Sequence, residues 1–264
     1  MKFVTYRAGS ANRLAVLDND QLIDLNHALP EVPSDVRDAL LAGVDLVAAA
    51  RSAIASSAPR LPLAGQRLAA VVPAPGKTVC LGLNYYDHAA ESGRDKPVYP
   101  WFFLRGTTSL LGHDESAPRP LVSEKFDYEA ELAVVIGKTA RHVKREDALD
   151  YVFGYAAFND MSVRDYQKRT PQWTIGKNFD RTGAFGPVLV SADELPPGGA
   201  GLRIVSRLNG VVMQDANTAD MIWDVAETIA LLTECLTLEP GDVIEVEIER
   251  VGLLVNKIED EVQP

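Results

Sequence analysis

Short runs in which apolar and polar residues alternate recur along this 264-residue chain, so strands dominate the expected structure. Lys2 to Leu25 holds three such runs, broken by a turn at Asp18-Asn19-Asp20, which predicts an antiparallel meander. From Ser34 to Ala55 the apolar spacing becomes helical through Val36, Leu40, Leu41, Val44 and Val47. Pro59, Pro62, Pro73, Pro75 and Gly76 then interrupt the chain. The break predicts a small N-terminal α+β domain over residues 1–72 and a larger domain over 73–264.

In the larger domain, Thr78 to Leu83 reads as a buried strand, Pro97 to Leu111 is rich in Pro and aromatics, and Tyr151 to Asp160 is an aromatic-rich strand. Ser162-Val163-Arg164-Asp165 looks like a capping box that opens a short helix ending before Pro171. Gly183 to Val190 and Leu202 to Leu208 are further strands, and Asn209-Gly210 is a strong hairpin turn. The clearest helix is expected over Ala219 to Leu236, and Glu239-Pro240-Gly241-Asp242 turns the chain into a last strand. The fold class expected is α+β and rich in β.

One strand stands apart, Lys125 to Gly137. Glu129 and Glu131 share one of its faces and continue into Ala133 and Val135, while Tyr128, Ala130, Leu132, Val134 and Ile136 make the other face apolar. A strand covered on both sides would bury its two carboxylates, and such a pair repels itself unless a cation neutralises it. A solvated acidic face is the alternative. Val243 to Glu249 is that case within the same chain, because its acids alternate strictly with apolar residues and no apolar residue joins their face.

Composition narrows the partners. The 47% hydrophobic and 24% charged content is ordinary for a globular protein, and a net charge of -11 argues against nonspecific nucleic-acid binding or attachment to anionic lipid. No run of about 18 apolar residues suggests a membrane span, and the first residues lack an apolar signal core, so a cytoplasmic protein is expected. Cys80 and Cys235 lie in apolar segments outside any Cys-x-x-Cys pair, which favours free thiols and leaves zinc held through sulfur without a ligand set.

Other candidate groups cluster by spacing. His88 and Glu91 are three apart after a possible N-cap at Asp87, a placement in which a carboxylate orients an imidazole and raises its basicity. An exposed helical ion pair is the plainer reading of the same residues. Asp160 sits where a strand gives way to a helix, Arg164 and Gln167 project from one side of that helix, and Lys177 lies between Ile175 and Phe179. A lysine amid apolar neighbours either reaches out to water or meets an anion.

Taken in order, Gly82 to Glu91, Asp127 to Gly137, Phe158-Asn159-Asp160, Arg164 to Gln167, Gly176-Lys177-Asn178-Phe179-Asp180, Asn209-Gly210 and Gln214 to Thr218 resemble the fumarylacetoacetate hydrolase family across about residues 75–258. The resemblance implies a mixed β-sandwich roll, assembly as a homodimer, and a divalent cation, Mg2+ or Mn2+ with Ca2+ as a further option, on Glu129, Glu131 and Asp160. It also implies that His88 and Glu91 activate water and that Lys177 acts with them in catalysis. Arg105, Arg164, Gln167, Asp180 and Thr218 would bind the substrate.

Two departures from the family pattern stand out. Many relatives carry Lys where this chain has Arg105, a planar fork instead of a point charge. The family's Thr-Gly-Thr-Pro loop after the Pro-Gly-Asp turn is absent, because Pro240-Gly241-Asp242 runs straight into Val243. The activity implied is hydrolysis of a carbon-carbon bond in a small anionic 2,4-dioxo acid, such as an acylpyruvate, fumarylpyruvate or diketo-deoxy sugar acid. The alternatives are oxaloacetate decarboxylation or tautomerisation, isomerisation or hydration of a 2-oxo acid, and a binding protein that lost activity with the loop.

Overall fold

The computed structural model describes residues 1–85, 98–245 and 252–262. Strands β1 (Lys2–Ala8), β2 (Ala11–Asp18) and β3 (Gln21–Asp24) form the expected meander, and Asn19 takes the left-handed conformation its turn requires. The helical stretch that follows is two helices, α1 (Val36–Leu41) and α2 (Leu46–Ala55). Gly43 at φ 72° and the Asp45 carboxylate, which caps the Ala48 amide at 2.9 Å, divide what the apolar spacing alone ran together.

Beside several short strands of two or three residues, the chain forms β4 (Thr78–Gly82), β5 (Trp101–Arg105), β6 (Ala130–Ile136), β7 (Val152–Asp160), β8 (Gly183–Ser191), β9 (Arg203–Leu208), β10 (Val211–Asn217) and β11 (Val243–Glu245). One large mixed sheet runs in the order β3-β2-β1-β8-β7-β6-β11-β4-β5. The N-terminal meander is therefore hydrogen-bonded into the same sheet as the larger segment, through β1 against β8. A single apolar cluster extends from Phe3, Val16 and Ile23 to Val134, Tyr155, Phe185 and Ile229. Residues 69–72 link the two parts, with the Thr5 hydroxyl donating to the Val71 carbonyl at 2.8 Å.

Two expected elements are shorter than their patterns. The last helix, α5, covers Val225–Cys235, because the Asp224 carboxylate caps the Glu227 amide at 2.8 Å and so fixes the start. The residues before it serve another purpose. Asn84 ties them to the end of β4: its side chain accepts from the Trp223 amide at 2.9 Å and donates to the Trp223 carbonyl at 3.1 Å, while its own carbonyl accepts from the Ile222 amide at 2.7 Å. The acidic strand also breaks, into Phe126–Asp127 and β6.

Candidate active site

The side chains of interest come from the end of the β6–β7 ladder and from two short helices that follow it. Asp160 lies opposite Glu129, since its amide donates to the Glu129 carbonyl at 2.8 Å. Ser162 does not cap a helix as expected. It sits in a two-residue strand, Ser162–Val163, paired with Phe126–Asp127, and its hydroxyl donates to the Asp160 carbonyl at 2.9 Å. The next helices, α3 (Arg164–Gln167) and α4 (Thr174–Lys177), cross at Gly176, where a β-carbon would lie 2.4 Å from the Gln167 amide nitrogen. Only glycine permits that approach, which brings Lys177 inward.

Lys177 is 2% exposed and its ammonium donates to one oxygen of Glu129 and to one oxygen of Asp160. Its nitrogen also lies 5.1 Å from the centre of the Phe103 ring. Burial pushes the Glu129 carboxyl up, but the Lys177 and Arg164 charges outweigh it and hold the group at about 2. Burial alone would lower the Lys177 ammonium, yet Asp160 and Glu129 raise it above its ordinary value. Both partners are therefore locked in their charged forms in a dry setting.

Two arginines complete the cluster from outside. Arg164 donates to Glu129 Oε1 at 2.5 Å, to Asp127 at 2.7 Å and to the Gln167 side-chain oxygen at 3.1 Å. Arg105 is 4% exposed, pairs with the other oxygen of Asp160, and donates to Thr182 Oγ1 at 2.9 Å and Ser109 Oγ at 3.3 Å. Each carboxylate thus has one oxygen on an arginine and one on Lys177.

Several expectations change at this point. Glu129 and Asp160 do converge on a cation, but that cation is Lys177, and among the described residues no three His, Cys, Asp or Glu side chains are grouped as a metal site. Glu131 is half-buried and lines an open cleft of about 840 Å³ with Tyr128, Phe158 and Asn159. Arg105, expected to meet substrate, has its fork spent on protein oxygens. Thr218, also expected there, is buried elsewhere, donating to the Gly199 carbonyl at 2.7 Å and accepting from the Leu202 amide at 2.9 Å.

Asp180 is exposed, three residues beyond Lys177. His88 and Glu91 lie outside the described residues. Asp127, Ser109, Thr182 and Phe103 were not foreseen. For Asp127 a signal existed, because it shares period-two phase with Glu129 and Glu131; the others are joined to the site only through tertiary packing.

A mixed sheet thus carries an acid pair, Glu129 and Asp160, around one shared ammonium, with an arginine on the far oxygen of each acid. The chain belongs to the fumarylacetoacetate (FAA) hydrolase family, whose C-terminal family model matches residues 77–257. A maleylpyruvate hydrolase from Sphingobium sp. SYK-6, solved with manganese(II) and pyruvate, is 30% identical with a TM-score of 0.79, over 97% of this chain and 91% of that one. A fumarylacetoacetate hydrolase from Exiguobacterium antarcticum matches at 30% identity and TM-score 0.79, over 94% and 86%. The mitochondrial oxaloacetate tautomerase Fahd2a of Rattus norvegicus is 33% identical over 262 residues, 90% of this chain and 83% of the relative.

Proposed function

We propose that this protein hydrolyses a carbon-carbon bond in a small 2,4-dioxo acid of the acylpyruvate type, with the help of a divalent cation. The observation that carries the reading is the carboxylate pair of Glu129, 15% exposed, and buried Asp160, already sharing one positive charge. An oxygen-only pair of this kind suits Mg2+ or Mn2+ once Lys177 gives way, with Glu131, two residues on at the start of β6, proposed as a further ligand. When bound, such an ion supplies Lewis-acid polarisation of the oxo-acid oxygens.

The chain's own residues account for the rest. Arg164 keeps 26% of its side chain exposed while pairing with Glu129, so it is the cation best placed to orient an incoming carboxylate, with Gln167 beside it. In the reaction, water adds to the acyl carbonyl carbon. The bond to the neighbouring methylene breaks, leaving its electron pair on the pyruvate fragment as an enolate, and a proton then returns to that carbon. Lys177 would balance the enolate charge in a setting that excludes water. His88 with Glu91 is proposed to take the proton from water.

A second reading is keto-enol tautomerisation of oxaloacetate, favoured by the 33% identity to a tautomerase over 90% of this chain. It moves a proton between carbon and oxygen without consuming water. Both are tested by incubating purified protein, with Mg2+ or Mn2+, against a panel of acylpyruvates and oxaloacetate. Release of pyruvate, abolished in His88→Gln, supports hydrolysis; enol conversion without cleavage supports the tautomerase. Neither product from any member of the panel overturns both.

We also propose a homodimer. The β9–β10 hairpin is a two-stranded sheet of its own, and Val211, Val212 and Met213 on it are 62%, 47% and 49% exposed. Light scattering coupled to gel filtration should give twice the chain mass.

A further inference from the structure

Asn178, the residue after Lys177, engages its whole side-chain amide with backbone groups of two elements. Its Nδ2 donates to the Leu104 carbonyl of β5 at 2.9 Å and to the Thr174 carbonyl of α4 at 2.8 Å, while its Oδ1 accepts from the Gly106 amide at 2.6 Å. Both amide hydrogens and the oxygen are in use, and these partners fix which way round the amide lies. An aspartate of the same shape would set an oxygen against two carbonyl oxygens.

The place of these bonds matters as much as their number. Among the described residues β5 is the last strand of the large sheet, paired with β4 along one edge. Leu104 and Gly106 are two apart, so their groups point to the same open edge, and Asn178 meets them as a neighbouring strand would. Arg105 lies between them and holds one oxygen of Asp160; Lys177, directly before Asn178, holds the other. Phe103, on the same face of β5 as Arg105, lies 5.1 Å from the Lys177 nitrogen. α4 is a single turn of four residues with no side-chain cap at its start, too short to hold its own geometry. The pin at its end therefore fixes where the Lys177 side chain is rooted relative to Arg105 and Asp160.

We infer that Asn178 is a positioning residue, whose side-chain amide ties the Lys177 turn to the edge of β5 and so sets the reach of the ammonium to the enolate of the reacting 2-oxo acid. The inference rests on the role given to Lys177 in the proposed reaction. With the root held, the ammonium leaves the two acids only by rotation of its own methylenes. Without the pin the whole turn shifts, and the loss falls on the form of the substrate that carries the extra negative charge.

Pyruvate and oxalate separate this role from a structural one. Pyruvate carries one negative charge, whereas oxalate is a dianion with the charge of the pyruvate enolate. Both are titrated calorimetrically into the full chain at one fixed MgCl2 concentration, and the ratio of their Kd values is compared in wild type, Asn178→Ala and Gly106→Pro. Gly106 is exposed, with φ -81° and ψ 156°, a conformation that proline adopts, so the second substitution removes the amide donor without straining the backbone. Asn178→Ala is expected to weaken oxalate by about tenfold and pyruvate by less than about twofold. Gly106→Pro should move the ratio in the same direction, and it serves if Asn178→Ala does not fold. A ratio unmoved by both substitutions, even where the two affinities fall together, overturns the inference and leaves the proposed function standing. Binding of neither anion to the wild type overturns both.

Discussion

Lys177 and Asp160, each 2% exposed, form an ion pair beyond the reach of solvent at the end of β7. Removing one partner of such a pair strands the other's charge, which costs far more than the pair itself contributes. Lys177→Met should therefore destabilise the protein by about 3–5 kcal/mol in urea unfolding. The double variant Lys177→Met with Glu129→Gln should recover part of that loss, because Asp160 then keeps Arg105 and Arg164 keeps Asp127. Equal stability of the single variant and the wild type would remove the buried pair from the account.

Acid sensitivity follows from Glu129, held at about 2 by Lys177 and Arg164 against an ordinary value of 4.5. A depressed carboxyl contributes stability that is present above its unfolded value and lost as pH falls through its folded value. Unfolding free energy should therefore decline between pH 4.5 and about 2, by no more than about 3 kcal/mol for this group. Glu129→Gln should flatten that part of the curve in a denaturant series run at several pH values.

Gly176 gives a separation of activity from stability. A β-carbon there meets the backbone of Gln167 at 2.4 Å, so Gly176→Ala must push α4 away from α3 and carry Lys177 with it. Turnover should fall by about a hundredfold from misplacement on the order of an ångström. Overall stability should drop by about 1–3 kcal/mol, as for an overpacked site. Unchanged kcat and KM would show that the placement of Lys177 does not govern the chemistry.

Asp242 anchors the turn that leads into β11. It is fully buried, its carboxylate accepting from the Lys77 amide at 2.8 Å, the Lys77 ammonium at 3.0 Å and the Glu239 amide at 2.8 Å. Asp242→Ala leaves two amides and a cation without their acceptor and should cost about 3 kcal/mol or more in urea unfolding. Asp242→Asn should cost less.

Much of this could be read from the chain itself, and what could not has physical reasons. The meander, the Asn209-Gly210 turn and β6, which starts just after Glu129, follow from local alternation and turn chemistry. Arg164 and Gln167 were expected on one side of a short helix, and their side chains are hydrogen-bonded there. Helix boundaries were misread where a carboxylate at Asp45 or Asp224 caps an amide that apolar spacing passes over. The role of Arg105 was hidden because its partners, Ser109, Thr182 and Asp160, are joined by tertiary contact and not by spacing. Thr218 carried a familiar motif, yet its hydroxyl satisfies the loop at Gly199. A short sequence pattern records residue type, and packing decides what the side chain faces.

Glu129 and Asp160 are the two acids proposed to hold a divalent cation. Calorimetric titration of MnCl2 into the wild type and into Asp160→Asn, with folding checked by circular dichroism, tests it directly. One site per chain in the wild type, and binding weakened by at least about a hundredfold in the folded variant, is the result predicted. The same stoichiometry and affinity in both proteins would contradict it, because the ion would then sit somewhere other than between these two acids.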